Sequence, residues 1–211
     1  MSNQNPQLPS TASADEVISK AIKPDALDSI YEELWTRRNY AYGTGELFQK
    51  RATELTKRLN LLSFFGLFLP ILVGAVALSE LKILVLPSVI YIASAVGVLQ
   101  VIATLYSITE GWPSELMYAI DSAKDNFEIS SQFQDLAQTS DNPPTDLKHE
   151  MTVLITKDNA RRAQDRMHNI KPKEMIYFYR ASLFKGQRKC VKCKKVPDSM
   201  SRTSCETCGR Y

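Results

Sequence analysis

Two long segments of the sequence contain no charged residue. The first covers the twenty residues from Leu59 to Leu78, and the second the twenty-six residues from Ile83 to Ile108. A helix needs about 20 apolar residues to cross the hydrocarbon core of a bilayer, so each segment is long enough to span a membrane. The alternative is a buried helical hairpin in a soluble bundle. A helix of such a bundle normally keeps a polar face, which neither segment has. We therefore predict a transmembrane hairpin over residues 59–108, with spans 59–79 and 83–108.

Other features that the sequence lacks argue against particular classes of function. The sequence has no glycine-rich phosphate loop, no nucleophile paired with a base and no paired carboxylates on one helix face, so we expect a protein that is not an enzyme. Neither span carries a charge, which argues against an ion-coupled transporter or a proton relay. Residues 1–24 have no apolar core and are rich in Asn, Gln, Pro and Ser. They predict a disordered segment and no cleaved signal peptide.

Basic residues lie mainly on one side of the predicted hairpin. Six of them come shortly before the first span, as Arg37, Arg38, Lys50, Arg51, Lys57 and Arg58, whereas the link between the spans has only Lys82. Positive charge flanking a span favours the cytoplasmic side. We expect both termini to be cytoplasmic, in a multi-pass protein of a bacterial inner membrane.

The polar segments on either side of the hairpin predict helices. In residues 25–58 an apolar stripe recurs at steps of three and four if Arg38 and Gly45 are allowed as interruptions, and it continues to Leu59 at the start of the first span. Its members are Leu27, Tyr31, Leu34, Ala41, Phe48, Ala52, Leu55 and Leu59. Gly43-Thr44-Gly45 predicts a kink or break within it. Residues 113–185 predict three further helices, over about 113–138, 146–169 and 174–185. The stripe is suited to packing against these helices or, alternatively, to a self-associating coiled coil.

The second span has one face of small and polar residues, formed by Ala93, Gly97, Gln100, Thr104 and Ser107. Small residues let membrane helices approach closely, and polar groups bond between them. This face is therefore expected either to pack the two spans together or to line a wet path in an oligomer.

The cysteines are few and are confined to the end of the chain, as Cys190, Cys193, Cys205 and Cys208. Two C-x2-C pairs separated by eleven residues suit one tetrahedral zinc ion, and a cytoplasmic location disfavours disulfides. All four ligand positions are filled by cysteine, so the zinc is expected to be structural. We predict a small zinc ribbon with a hairpin over residues 186–211.

The same tail is basic. It carries eight cations against Asp198 and Glu206, a net of 8 − 2 = +6, and these cations are Lys185, Arg188, Lys189, Lys192, Lys194, Lys195, Arg202 and Arg210. Such a patch is expected to meet nucleic acid, anionic lipid or a partner protein. The predicted fold class is thus an all-α membrane protein: a two-span transmembrane helical hairpin with cytoplasmic helices, plus a small C-terminal zinc ribbon.

From Leu27 to Leu183, the order of cytoplasmic helix, two-span hairpin and cytoplasmic helices resembles the SLATT family of bacterial two-transmembrane effectors. The CxxC-x11-CxxC pattern is similar to one in small proteins carried on mobile elements. The resemblance implies an antiviral or conflict effector that forms homo-oligomers and permeabilises the inner membrane when a sensor protein or nucleotide signal from a neighbouring gene triggers it. It supplies no catalytic residues. The alternative is a membrane-anchored adaptor whose basic zinc ribbon binds nucleic acid or a partner protein.

Overall fold

The computed structural model describes residues 24–78, 86–138 and 144–211, and every regular element in these ranges is an α-helix. In chain order the helices are α1 (Pro24–Leu78), α2 (Leu86–Thr109), α3 (Trp112–Gln138), α4 (Pro144–Asp165) and α5 (Pro172–Gly186). The predicted all-α fold is confirmed for the residues that the structure describes. The predicted disordered segment, apart from Pro24, and the predicted link at 79–82 lie outside the described residues.

Helix α1 overturns the prediction of a break at Gly43-Thr44-Gly45, because it continues through these residues. The two glycines allow neighbouring helices to approach closely. A Cβ at Gly43 would lie 2.2 Å from the hydroxyl of Ser182 in α5, and one at Gly45 would lie 2.9 Å from the ring of Phe127 in α3. Packing of this kind outweighs the low helix propensity of glycine, about 1 kcal/mol per residue.

The apolar stripe of α1 lies at the centre of a helical body, which we define as residues 28–58 of α1 together with α3, α4 and α5. One core cluster joins Leu34 and Ala41 of α1 to Phe133 of α3 and to Leu147 of α4. A second cluster, nearer the hairpin, is formed by Leu47, Phe48, Ala52, Ala119 and Ala123. Full burial of a side chain such as Phe133 stabilises a fold by about 1.5–3 kcal/mol.

Two carboxylates of α4 are buried in this body, which the sequence did not lead us to expect. Asp165 accepts hydrogen bonds from the hydroxyls of Tyr118 and Ser122 at 2.6 and 2.7 Å. Asp158 accepts hydrogen bonds from Arg37 and Arg162 at 2.9 and 2.8 Å. Because each acid is supplied with several donors, the two act as anchors that hold α4 against α3 and α1.

Beyond the helical body, α1 continues beside α2 as a pair of apolar helices. Both are long and apolar enough to cross a membrane. Large side chains point outward on both, and Leu67 and Ile71 of α1 are 71% and 70% exposed. The hairpin meets the body at Gly111, whose φ of 67° permits the tight turn into α3. There the ring of Trp112 packs on Tyr106 at 5.9 Å, and the Arg58 guanidinium lies 5.6 Å from it.

Candidate metal centre

The four cysteines converge on one point at the far end of α5. The sulfur atoms of Cys190, Cys193, Cys205 and Cys208 all lie within 4.8 Å of one another, and those of Cys193 and Cys208 are 3.7 Å apart. Four sulfur ligands around a zinc ion, with Zn–S bonds of about 2.3 Å, are separated from one another by about 3.8 Å. The donor set and its spacing therefore suit a tetrahedral metal ion.

The backbone of each C-x2-C pair favours the thiolate form that metals bind. The backbone N–H groups of Cys208 and Thr207 lower the pKa of Cys205 to about 6. Burial alone would raise the pKa of Cys190, but the N–H groups of Cys193 and Lys192 outweigh it and lower the pKa. Burial raises the pKa of Cys208. A metal ion would remove the proton from that last thiol and compensate the charge of all four sulfurs.

The cysteines lie in residues 187–211, which we call the cysteine module. The prediction of a hairpin there is wrong, because these residues contain no strand. Its backbone hydrogen bonds join residues that are near each other in sequence, within each C-x2-C segment, which we call a knuckle. The Lys194 N–H donates to the Cys190 carbonyl at 2.9 Å, and the Gly209 N–H donates to the Cys205 carbonyl at 2.8 Å. Between the knuckles, Pro197 lacks the N–H that a strand ladder would need.

Helix α5 fastens the cysteine module to the helical body. Its Arg180, only 3% exposed, donates hydrogen bonds to the carbonyls of Ser199 and Cys208 at 2.9 and 3.1 Å. Leu183 of the same helix packs against Cys190 and Cys208. At the other edge, Tyr211 donates to the Met200 carbonyl and is 9% exposed. The buried guanidinium of Arg180 thus connects the segment that carries the four cysteines to α5.

The predicted basic patch is spread over the end of α5 and the surface of this module. All eight of its cations are exposed: Lys185, Arg188, Lys189, Lys192, Lys194, Lys195, Arg202 and Arg210. Lys192 and Arg210 both pair with Glu206. Lys185 instead lies 4.8 Å from the ring of Tyr42, and Arg202 lies 5.8 Å from that of Tyr211. The patch is therefore partly neutralised within the chain, by the single carboxylate of Glu206.

The small and polar face of α2 lies partly against α1. A Cβ at Gly66 would lie 2.7 Å from the amide nitrogen of Gln100, so these two residues meet across the hairpin. Ser107 is 2% exposed, whereas Thr104 is exposed and donates to the Gln100 carbonyl at 2.9 Å. Ala93 and Gly97 are half-buried, and a Cβ at Gly97 would meet open space. Only part of the face is covered by α1.

Prediction from the sequence missed the residues that attach the cysteine module to α5, above all Arg180. A lone cation inside the apolar run of α5, between Tyr179 and Ala181, is a signal that could have identified it. It also missed that Lys50, Lys171 and Lys173, distant in sequence, come together with Arg202 around one cavity. No local pattern in the sequence indicates that meeting, because it depends on how α5 packs along α1.

The chain matches the family model described as "Mobilome CxxCx(11)CxxC protein" over residues 31–211. The match covers the body, the hairpin and the cysteine module, and its description contains the spacing found between Cys193 and Cys205. Comparisons with the curated proteins and with the solved structures gave no match.

Proposed function

The chain belongs to the family of mobilome CxxCx(11)CxxC proteins, and from this premise we propose that it is a membrane effector of a bacterial conflict system. In this proposal the hairpin spans the inner membrane, both termini are cytoplasmic, and triggered homo-oligomers permeabilise the bilayer. It performs no catalysis. The resemblance of its helix order to the SLATT two-transmembrane effectors supports the same reading.

One observation carries the membrane part of the proposal: the contrast between the two halves of α1. Leu34 and Phe48 in the first half are fully buried, whereas Leu67 and Ile71 in the second half are 71% and 70% exposed. On α2, Val98 and Val101 are each 60% exposed. A water-soluble protein rarely exposes a continuous apolar surface of this extent, whereas lipid covers it at no cost.

We further propose that the cysteine module holds one structural zinc ion. The four thiols leave no open ligand position, so the metal would stabilise the module and would not act on a substrate. The purified protein should contain one equivalent of zinc by elemental analysis, and Cys190→Ser should lower that content. Full metal retention after the loss of two cysteines from different knuckles would contradict the proposal.

The leak can be tested by membrane potential in cells that express the chain from an inducible promoter, with and without the neighbouring genes. Depolarisation should disappear when Gln100→Leu and Thr104→Leu are combined, because the polar face is then removed. The matched control is Val98→Leu with Val101→Leu, two exposed positions of the same helix, which should leave depolarisation unchanged. An intact potential in every case, with the protein verified in the membrane, would exclude the leak.

A second function, a membrane-anchored adaptor, is favoured by the contact between Gln100 and Gly66, since a residue used for packing the hairpin is not free to line a path. In that case the hairpin only tethers the cysteine module, and its cations bind nucleic acid. Binding of double-stranded DNA by the purified chain should then weaken steeply with salt and with Lys189→Gln, Lys194→Gln and Lys195→Gln combined. Equal binding by this triple variant would argue against the adaptor.

A further inference from the structure

A cavity of about 550 Å³ lies between α1, the beginning of α5 and the cysteine module. Its volume falls in the range of pockets that hold small organic ligands, about 300–1,000 Å³. Five Lys or Arg residues and two Glu residues line it, a net of 5 − 2 = +3. This concentration of positive charge exceeds what the composition of the chain predicts, because the whole protein carries only +3.

Most of the positive charge in the cavity is not neutralised by an ion pair within the protein. Arg51 is paired with Glu174 at 2.8 Å, which accounts for one cation and one carboxylate. Among the described residues, no carboxylate lies within ion-pair distance of Lys50, Lys171 or Lys173. Glu54 is the other acid of the wall, and it is exposed. Lys50, Lys171, Lys173 and Arg202 are therefore four cations of the wall without an ion pair among the described residues, although Lys171 is close enough to Glu174 to help lower the pKa of that carboxyl.

The remaining wall is aromatic and apolar. Tyr177 and Tyr211 meet edge to face with their centroids 5.0 Å apart, and the Lys50 ammonium lies 4.1 Å from the Tyr177 ring centre. Leu47 and Pro172 complete this side. A wall that combines cations with rings and aliphatic carbon suits an anion that carries an organic group, because it can bind both parts. It does not suit a metal ion, for which carboxylates would be needed.

We propose that this cavity binds the phosphate group of a small phosphorylated ligand, with Lys171 and Lys173 from the start of α5 and Arg202 from the cysteine module as its main contacts. The ligand would bridge α1, through Lys50, to α5 and to the cysteine module that follows it, two parts of the chain more than 100 residues away in sequence. Its binding would tie that module more firmly to the helix that enters the hairpin. The proposal goes beyond the leak and holds whether or not the hairpin permeabilises a membrane.

Two sources of phosphate fit this position. Arg51 precedes Leu59, the first residue of the apolar run, by eight residues, a rise of about 12 Å along the helix. The cavity is therefore near enough to a bilayer surface for a lipid headgroup and open enough for a soluble nucleotide. Both offer the same phosphate oxygens to the same cations, so binding measurements must distinguish them.

The test uses the full-length, zinc-loaded protein in detergent micelles and isothermal titration calorimetry. The probes are ATP and, below its micellar concentration, dihexanoyl phosphatidic acid. Lys171→Gln with Lys173→Gln removes two cations from the cavity and keeps the backbone N–H of Lys171 that caps α5. The matched control is Lys124→Gln with Lys148→Gln, which removes the same charge from exposed positions outside the cavity.

We expect one-to-one, saturable binding of at least one probe, weakened tenfold or more in the cavity variant and less than twofold in the control. Arg202→Gln should also weaken it severalfold. Preference for ATP would identify a soluble nucleotide, and preference for the lipid probe would identify a headgroup. Absence of saturable binding at millimolar concentrations, or equal weakening by both double variants, would overturn the proposal. The readout is independent of membrane potential, so its failure and that of the leak are separable.

Discussion

At the scale of single residues, the buried Arg180 is the link on which the cysteine module depends. Its guanidinium satisfies two carbonyls of the module from inside a helix of the body. Hydrogen bonds of a charged group contribute about 1.5–3 kcal/mol each, and carbonyls left buried without a donor add a further cost. We therefore predict that Arg180→Gln increases hydrogen–deuterium exchange of residues 187–211 by tenfold or more.

The control for this change is Arg188→Gln, which removes an exposed arginine eight residues along the chain. It should leave exchange in the cysteine module close to that of the parent protein. Amides in α1 and α3 should be protected equally in all three proteins, since their core does not include Arg180. Unchanged exchange in the Arg180 variant would mean that the metal ligands alone hold the module in place.

Glu174 makes a contribution to stability that depends on pH. Burial alone would raise its pKa, but hydrogen bonds from the Arg51 side chain and the Lys171 backbone outweigh burial and lower the pKa below the ordinary 4.5. A carboxyl with a lowered folded-state pKa stabilises the protein above its unfolded-state pKa, and this stabilisation is lost as the pH falls through the folded-state value. Glu174→Gln should therefore lower the melting temperature at pH 7, and this effect should shrink as the pH is lowered below the ordinary 4.5.

The exposed Glu150 provides the comparison for Glu174. Glu150→Gln should change the melting temperature little at pH 7 and at pH 3. If Glu174→Gln instead lowered the melting temperature by the same amount at pH 7 and at pH 3, the ion pair with Arg51 would not be the origin of the effect.

At the scale of elements, α1 joins the helical body to the hairpin, and its glycines set how closely α5 approaches it. Gly43→Ala gains about 1 kcal/mol of helix propensity but places a Cβ 2.2 Å from the Ser182 hydroxyl and 2.9 Å from the Phe178 carbonyl. Overpacking of this kind typically costs about 1–3 kcal/mol, so after the gain in helix propensity we predict a net loss of stability of up to about 2 kcal/mol. Chemical denaturation followed by circular dichroism measures it.

Gly74 offers a matched control in the same helix, because a Cβ there would meet nothing within 4 Å. Gly74→Ala should leave stability unchanged or raise it slightly. If both alanines were stabilising, the close approach of α5 to Gly43 would not constrain the fold.

Gly43 and Gly45 show where prediction from the sequence reaches its limit. Periodicity was enough to predict the stripe of Leu34, Ala41 and Phe48, because the spacing of apolar residues directly reflects which side of a helix is buried. The cysteine spacing likewise predicted the cluster of four sulfurs. A Gly-Thr-Gly segment, however, is compatible with a break or with close packing, and only the position of α5 decides between them. The cavity near Lys171 and Arg202 depends on tertiary packing in the same way.

At the scale of the whole molecule, the helical body and the hairpin are built on different principles. The body has two core clusters and buried ion pairs, as a water-soluble protein has. The hairpin meets the body mainly through the ends of its helices, around Tyr106, Trp112 and Arg58. Stability of the body therefore depends on contacts that do not involve the spans.

We accordingly predict that the body folds without the hairpin. Arg58 and Trp112 are in contact, so a linker of six Gly and Ser residues, which reaches about 20 Å, can replace residues 59–111. The shortened protein should be monodisperse without detergent, melt cooperatively and retain one zinc ion, whereas the full chain should need detergent. Size-exclusion chromatography, circular dichroism and elemental analysis test this. A body with its own core should unfold cooperatively without the spans. Aggregation of the shortened protein, or loss of its cooperative transition, would mean instead that the spans are part of the folding unit.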